Sequence, residues 1–234
     1  MLIRVIQSIA GGGSVDFPSV IMQILASLFI IFCILPLHEC AHGWMAYKLG
    51  DNTAKYQGRL TLNPLASIDP IGALGILLFG IGWAKPVPVD PRYFRKPKRD
   101  MAITALAGPV ANLLAAFVGA LILNIFSIFV NSIPASVFVW IQFFFYYYIT
   151  INVMLAVFNL IPLPPLDGSR IIGAFLSDRA LYKYYQYQQI IMIGLFIILF
   201  LGWLDEPLYF LQQWITYGIT WLADLPFHAF GIMV

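Results

Sequence analysis

The chain has 234 residues, 61% of them hydrophobic and only 10% charged, with a formal net charge of +2; its mean hydropathy is +0.85. Soluble domains carry roughly 25% charged residues, so this composition excludes an ordinary soluble globule. The small net charge gives no surface for nucleic acid. One integral membrane domain spanning 1–234 is the expectation.

In chain order, the N-terminal "MLIRVIQSIAGGGSVDFP" has one basic residue and an apolar patch too short for a secretory signal. It reads as a short surface-lying segment that ends in a glycine turn. Five apolar segments then approach the ~20 residues that a bilayer crossing needs. They run from about Phe17 to Leu49, Met101 to Asn131, Val137 to Leu163, Ile190 to Leu204 and Leu208 to Ala223. The last two are short, so they are tilted or one is re-entrant. The fold class expected is therefore an all-α polytopic membrane protein with about five transmembrane helices.

Residues 51–100 between the first two segments differ in kind. The apolar stretch from Ile71 to Ala84 is broken by glycines and too short to span, which suits a re-entrant loop. Its flanks "RLTL" (Arg59–Leu62) and "KPVPV" (Lys85–Val89) read as short strands, the second confined to an edge by its prolines. Nine of the 13 Lys and Arg residues lie in or beside this loop. Arg170, Arg179 and Lys183 follow the third segment. By the positive-inside rule both regions face the cytoplasm, which makes the feature a cytoplasmic-side re-entrant/β-strand loop.

The chemistry begins at His38-Glu39-Cys40-Ala41-His42, an H-E-x-x-H pattern. Histidines at i and i+4 share one helical face and can grip one Zn²⁺, while the intervening glutamate can serve as base toward a water. Ionisable groups in an apolar helix mark function. Two histidines do not complete a catalytic zinc site, which needs a third protein ligand. Trp44, Met45 and Ala46 follow Gly43 without another histidine, so the third ligand must come from elsewhere. Asp167 stands out in "FNLIPLPPLDGSR", where Pro162, Pro164 and Pro165 end the third helix. On the residues alone, a ligand and a cap for the next helix are both open for Asp167.

The pattern "HECAH" followed by "NLIPLPPLDG" resembles the site-2 protease family of intramembrane zinc metalloproteases. "GRLTLNPLASIDPIG", "GWAKPVPV" and "AGPVAN" (Ala107–Asn112) support the resemblance, which covers roughly Phe17 to Leu176. It is closest in kind to the compact branch without PDZ or CBS domains. The resemblance implies a catalytic core at about 17–176 with C-terminal helices at about 190–223. It implies one Zn²⁺ per chain on His38, His42 and Asp167, with Glu39 as general base and proton shuttle. It places Asn112 where it stabilises the oxyanion or holds substrate, although an interhelical hydrogen bond is the other reading of that residue. Asn159 reads as a brace for the helix that ends at Pro162.

Implied partners are single-span membrane protein substrates and the lipid bilayer, with no nucleic acid and no oligomeric state specified. The implied location is the bacterial inner membrane, with the active site near the cytoplasmic side. Substrate must unwind before its carbonyls can be attacked, and the strand-like pieces, with Val87 and Val89, can pair with it by β-augmentation.

Weaker features are read structurally. Cys33 and Cys40, seven residues apart, are about 10 Å apart along a helix, too far for a disulfide, and are expected to be small buried residues. Phe143–Tyr148 reads as lipid-facing and packing surface, and His228 as a residue outside the metal site. Two other classes fit parts of the pattern: a metal transporter and a catalytically inactive membrane scaffold. The transporter lacks a second set of His/Asp ligands in the later helices, and the scaffold gives no reason to keep four costly polar groups.

Overall fold

The structure is a computed structural model that describes Gly11, residues 16–79 and residues 82–229. Of the expected N-terminal surface segment, residues 1–10 and 12–15 lie outside the described residues. Among the described residues the fold is all helical.

Helix α1 (Phe17–Phe29) continues through a π-helical turn (Ile30–Ile34) into α2 (Leu35–Lys48). Pro36 accounts for the π turn: it has no N–H to return to the preceding turn, and its ring crowds the carbonyl there. The ladder shifts by one residue, with the Leu35 N–H bonding to the Ile30 carbonyl. The combined helix is 32 residues long and apolar enough to cross a membrane. At 1.5 Å per residue, His38 lies ~32 Å along the axis from Phe17, a length comparable to a hydrocarbon core ~30 Å thick.

Three short helices follow: α3 (Thr53–Tyr56), α4 (Pro64–Ser67) and α5 (Pro70–Phe79). The apolar helix α5 has 10 residues, about 15 Å, and cannot span. The chain then doubles back, so closely that a Cβ on Gly72 would overlap the backbone of Trp83. Ile76 is fully buried against the core.

Helix α6 (Pro97–Ile128) and α7 (Ala135–Asn159) are the other two candidate spans. Helix α6 is the hub, packing against α2, α7, the short α8 (Asp167–Gly173) and α11 (Asp205–Ala229), while α1 packs on α7. Helix α9 (Asp178–Gln186) leads to α10 (Gln188–Phe200), which meets α11 at an 84° bend. The described residues therefore hold three spans, or four if the bent pair is one span. Of the five expected segments three are such helices; the runs near 190–204 and 208–223 lie on α10 and α11, and the chain turns between them at Gly202, whose φ is +74°.

The expected strands are also corrected. No strand is present among the described residues, and neither 59–62 nor 85–89 forms a ladder. Pro86 and Pro88 remove every second donor of the segment. Its other donors are already committed: the Lys85 N–H to Ser67 O at 2.8 Å, that of Val87 to Glu39, and that of Asp90 to Asp51. Cys33 and Cys40 are free as expected, but the expectation of buried residues is corrected: Cys33 is exposed and Cys40 half-buried.

Candidate metal centre and active site

Helix α2 carries His38, Glu39 and His42 on its buried side. Asp167 reaches them from the start of α8. Helix α7 ends at Asn159, and a proline-rich turn folds the chain back so tightly that a Cβ on Gly168 would overlap the carbonyls of Leu160 and Ile161. Glycine is required there by close approach. Leu166 occupies the N-cap position of α8 without a side-chain cap, and Asp167 is the first helical residue. Its carboxylate points at the histidines, not at its own helix: Oδ2 lies 3.3 Å from His38 Nε2 and 3.2 Å from His42 Nε2. The two Nε2 atoms are 3.0 Å apart.

The protons of this cluster follow from its outer hydrogen bonds. His42 Nδ1 lies 2.7 Å from the main-chain oxygen of Thr104. A carbonyl only accepts, so Nδ1 carries the hydrogen and Nε2 a bare lone pair. His38 Nδ1 meets Asn112 Oδ1, again an acceptor. Both rings thus turn a lone pair toward the same point as Asp167 Oδ2, which is buried and has no hydrogen-bond partner. Three electron-pair donors facing one another in a buried site require a cation. A proton can bridge only two of them at a time, whereas a divalent ion takes all three.

The donor set fits zinc. Nitrogen and oxygen ligands at about 2.0–2.2 Å in a tetrahedron are roughly 3.3–3.6 Å apart, a few tenths of an ångström above the observed separations. Among the described residues these three form the one group able to hold a metal ion. Helix α6 lies directly over it: a Cβ on Gly108 would overlap Nε2 of both histidines. Gly108-Pro109 is therefore a close-packing point inside α6.

Glu39 is buried, and its carboxylate accepts the Val87 N–H at 2.8 Å. The loop that supplies this donor is pinned on both sides. Arg59 donates to the Lys85 carbonyl at 2.9 Å. Asp51, fully buried just past α2, accepts the Asp90 N–H at 2.7 Å and the Thr53 N–H at 2.9 Å. At its exposed end, Asp90 pairs with Arg92, whose hydrogen bond holds the Asp90 carboxyl below its usual range.

Asn112 is fully buried, with Oδ1 on His38 and Nδ2 on Asn152. It faces the back of the His38 ring. Asn159 bonds the Leu155 carbonyl one turn back in its own helix, a brace as expected. Asn152, Thr104 and Asp51 were not singled out from the sequence. An amide in the apolar run "ITINVML" was a usable signal for Asn152. Thr104 had none, because it acts through its main chain.

Comparisons with known proteins show the family to which the chain belongs. The sequence profile of peptidase family M50 matches residues 125–201. A Bacillus subtilis protein provisionally named zinc metalloprotease YwhC is 41% identical over 184 residues, covering 77% of this chain and 83% of that one. The Mycolicibacterium smegmatis protein provisionally named zinc metalloprotease Rip2 is 31% identical over 206 residues, 83% of this chain and 74% of its own. Zinc metalloprotease MJ0392 of Methanocaldococcus jannaschii is 30% identical over 155 residues, 66% of this chain and 35% of its own. No solved structure matches. A zinc metalloprotease embedded in a membrane is thus the class defined here. The chain belongs to peptidase family M50, the site-2 proteases.

Proposed function

We propose that this chain is an intramembrane endopeptidase that hydrolyses a peptide bond in or near the transmembrane segment of single-span, membrane-anchored substrates. The observation that carries it is the convergence of three bare electron-pair donors, His38 Nε2, His42 Nε2 and Asp167 Oδ2, beside a glutamate within a helix of membrane-spanning length.

In this reading His38, His42 and Asp167 hold one Zn²⁺. The ion, when bound, supplies a Lewis acid that acidifies water and polarises the scissile carbonyl. Glu39 takes the proton of the attacking water and passes it to the leaving amine. The Val87 N–H keeps the Glu39 carboxylate in one orientation, and Asp51 and Arg59 keep Val87 in place. The geometry favours Asn112 as a support for His38 over the oxyanion role suggested by its position, since both ends of its amide are engaged. Pairing of substrate with Val87 must displace the bond to Glu39; Val89 keeps that role without such a conflict.

We place the protein in the bacterial cell membrane with its site toward the cytoplasm, supported by the clustering of Lys and Arg around residues 48–99. The catalytic core is assigned to 17–176, with α10 and α11 as an accessory pair. A metal relay has no support here, since the described residues offer a single ligand group.

The test uses wild type and Glu39→Gln in detergent, with bound zinc quantified and each incubated with single-span membrane proteins. One zinc in both and cleavage by wild type alone is the expected result. Absence of zinc from wild type overturns the assignment.

A further inference from the structure

Behind the metal cluster runs a chain of two amides, Asn112 and Asn152, the second of which lies outside every family motif. Asn152 Nδ2 lies 2.9 Å from the Tyr148 carbonyl one turn earlier in α7. A main-chain carbonyl only accepts, so this contact fixes which end of the Asn152 amide is nitrogen. Its oxygen consequently faces α6, where it accepts from Asn112 Nδ2 at 3.2 Å. That in turn fixes Asn112, whose oxygen faces His38 Nδ1. His38 Nδ1 must then carry the hydrogen, and Nε2 is left bare. Each link determines the next, from a carbonyl in α7 to a lone pair in α2, across three helices. Asn112 and Asn152 are both 0% exposed, so no water competes for these groups.

We propose that Asn152 is a positioning residue of the metal centre: acting through Asn112, it selects the His38 tautomer that can bind a metal ion. The inference rests on the zinc reading above. Without an acceptor at 152, the Asn112 amide is free to rotate by 180° and offer its NH₂ to His38. That orientation favours a hydrogen on Nε2, the atom that faces the metal. Partners of this kind, one shell behind a metal-bound imidazole, influence affinity by about 10–100-fold. Thr104 does the same for His42 in one step, because a carbonyl cannot flip.

The experiment measures zinc affinity by competition with a chromophoric chelator on purified protein in detergent, and records the visible spectrum of Co²⁺-loaded protein. His42→Ala serves as the reference for a broken site. Asn152→Leu, close in volume, should bind zinc at least 10-fold more weakly than wild type, with a Co²⁺ spectrum that shows loss of a nitrogen ligand. Asn152→Asp, as the neutral acid that burial favours, keeps a donor for the Tyr148 carbonyl and an acceptor for Asn112 and should stay near wild type. The decisive variant is the double mutant Asn152→Leu/Asn112→Asp. A carboxylate has only acceptors and cannot present a donor to His38, so zinc affinity should recover even though Asn152 is gone. A role in packing alone predicts no such recovery. Wild-type affinity in folded Asn152→Leu, or failure of Asn112→Asp to restore binding in a folded double mutant, overturns the proposal. Wild type and His42→Ala binding zinc equally would instead defeat the zinc reading itself.

Discussion

The Val87 N–H donates to the Glu39 carboxylate at 2.8 Å, joining the loop after α5 to the acid of the H-E-x-x-H helix. The contact is buried and charge-assisted, the stronger kind of hydrogen bond. It sits between two prolines, Pro86 and Pro88, that can donate nothing of their own, so Val87 is the donor at this point of the loop. The loop thereby orients the proposed base from a segment 48 residues away in sequence.

Removing that donor should slow catalysis without removing the metal. Val87→Pro deletes one N–H from an already proline-rich segment, and hydrogen bonds to charged groups contribute about 1.5–3 kcal/mol. The expected fall in kcat is about 10- to 100-fold, with zinc stoichiometry unchanged. Val87→Ala keeps the N–H and should lose far less. Steady-state cleavage and metal analysis on both variants check this.

Asp51 anchors the same loop from the other side, accepting from Asp90 and Thr53 while fully buried. Asp51→Ala leaves those N–H groups without their acceptor, a cost of about 1–3 kcal/mol for a buried donor. The variant should show a lower Tm and reduced kcat. Its zinc affinity should match wild type, since Asp51 makes no contact with His38, His42 or Asp167. Parallel thermal melts and chelator titrations distinguish the effects.

Gly108 leaves no room for a side chain between α6 and the two imidazoles. Gly108→Ala should expel the metal or force α6 away from α2, so zinc per chain should fall well below one. Gly218→Ala in α11 is the control, because a Cβ there meets nothing within 4 Å. Alanine favours a helix over glycine by roughly 1 kcal/mol, so that variant should be neutral or slightly more stable, with full zinc content.

Metal removal should destabilise the fold as well as abolish activity. Asp167 Oδ2 is buried without a hydrogen-bond partner, and the three donors repel when nothing lies between them. Ligand linkage gives about 2.7 kcal/mol of stabilisation at free zinc 100-fold above its Kd. Stripping zinc should lower the Tm in wild type, and adding zinc back should restore it. Asp167→Ala removes a ligand along with the repulsion, so its Tm should respond little to either treatment.

The amino-acid sequence by itself determined the solvent of this protein and singled out two of the three residues proposed to hold its metal. Apolar runs of membrane length and a 10% charged composition follow from what a bilayer tolerates, and need no knowledge of packing. His38 and His42 were legible because helical periodicity alone places i and i+4 side by side. Asp167 stood out only as a rare acid after a proline break; whether it capped a helix or turned toward the histidines depended on the Gly168 fold-back against Leu160 and Ile161. The strands expected at 59–62 and 85–89 failed for a related reason. The donors a ladder would need at 85–89 went to Ser67 and Glu39, and that of Arg59 to Ala54, none of them in a strand. The fourth and fifth crossings depended on an 84° turn that hydropathy does not register. Above all, the direction of each hydrogen bond from Tyr148 through Asn152 and Asn112 to His38 was set by three helices meeting in space. An amide in a sequence has no orientation; only its neighbours' carbonyls assign one.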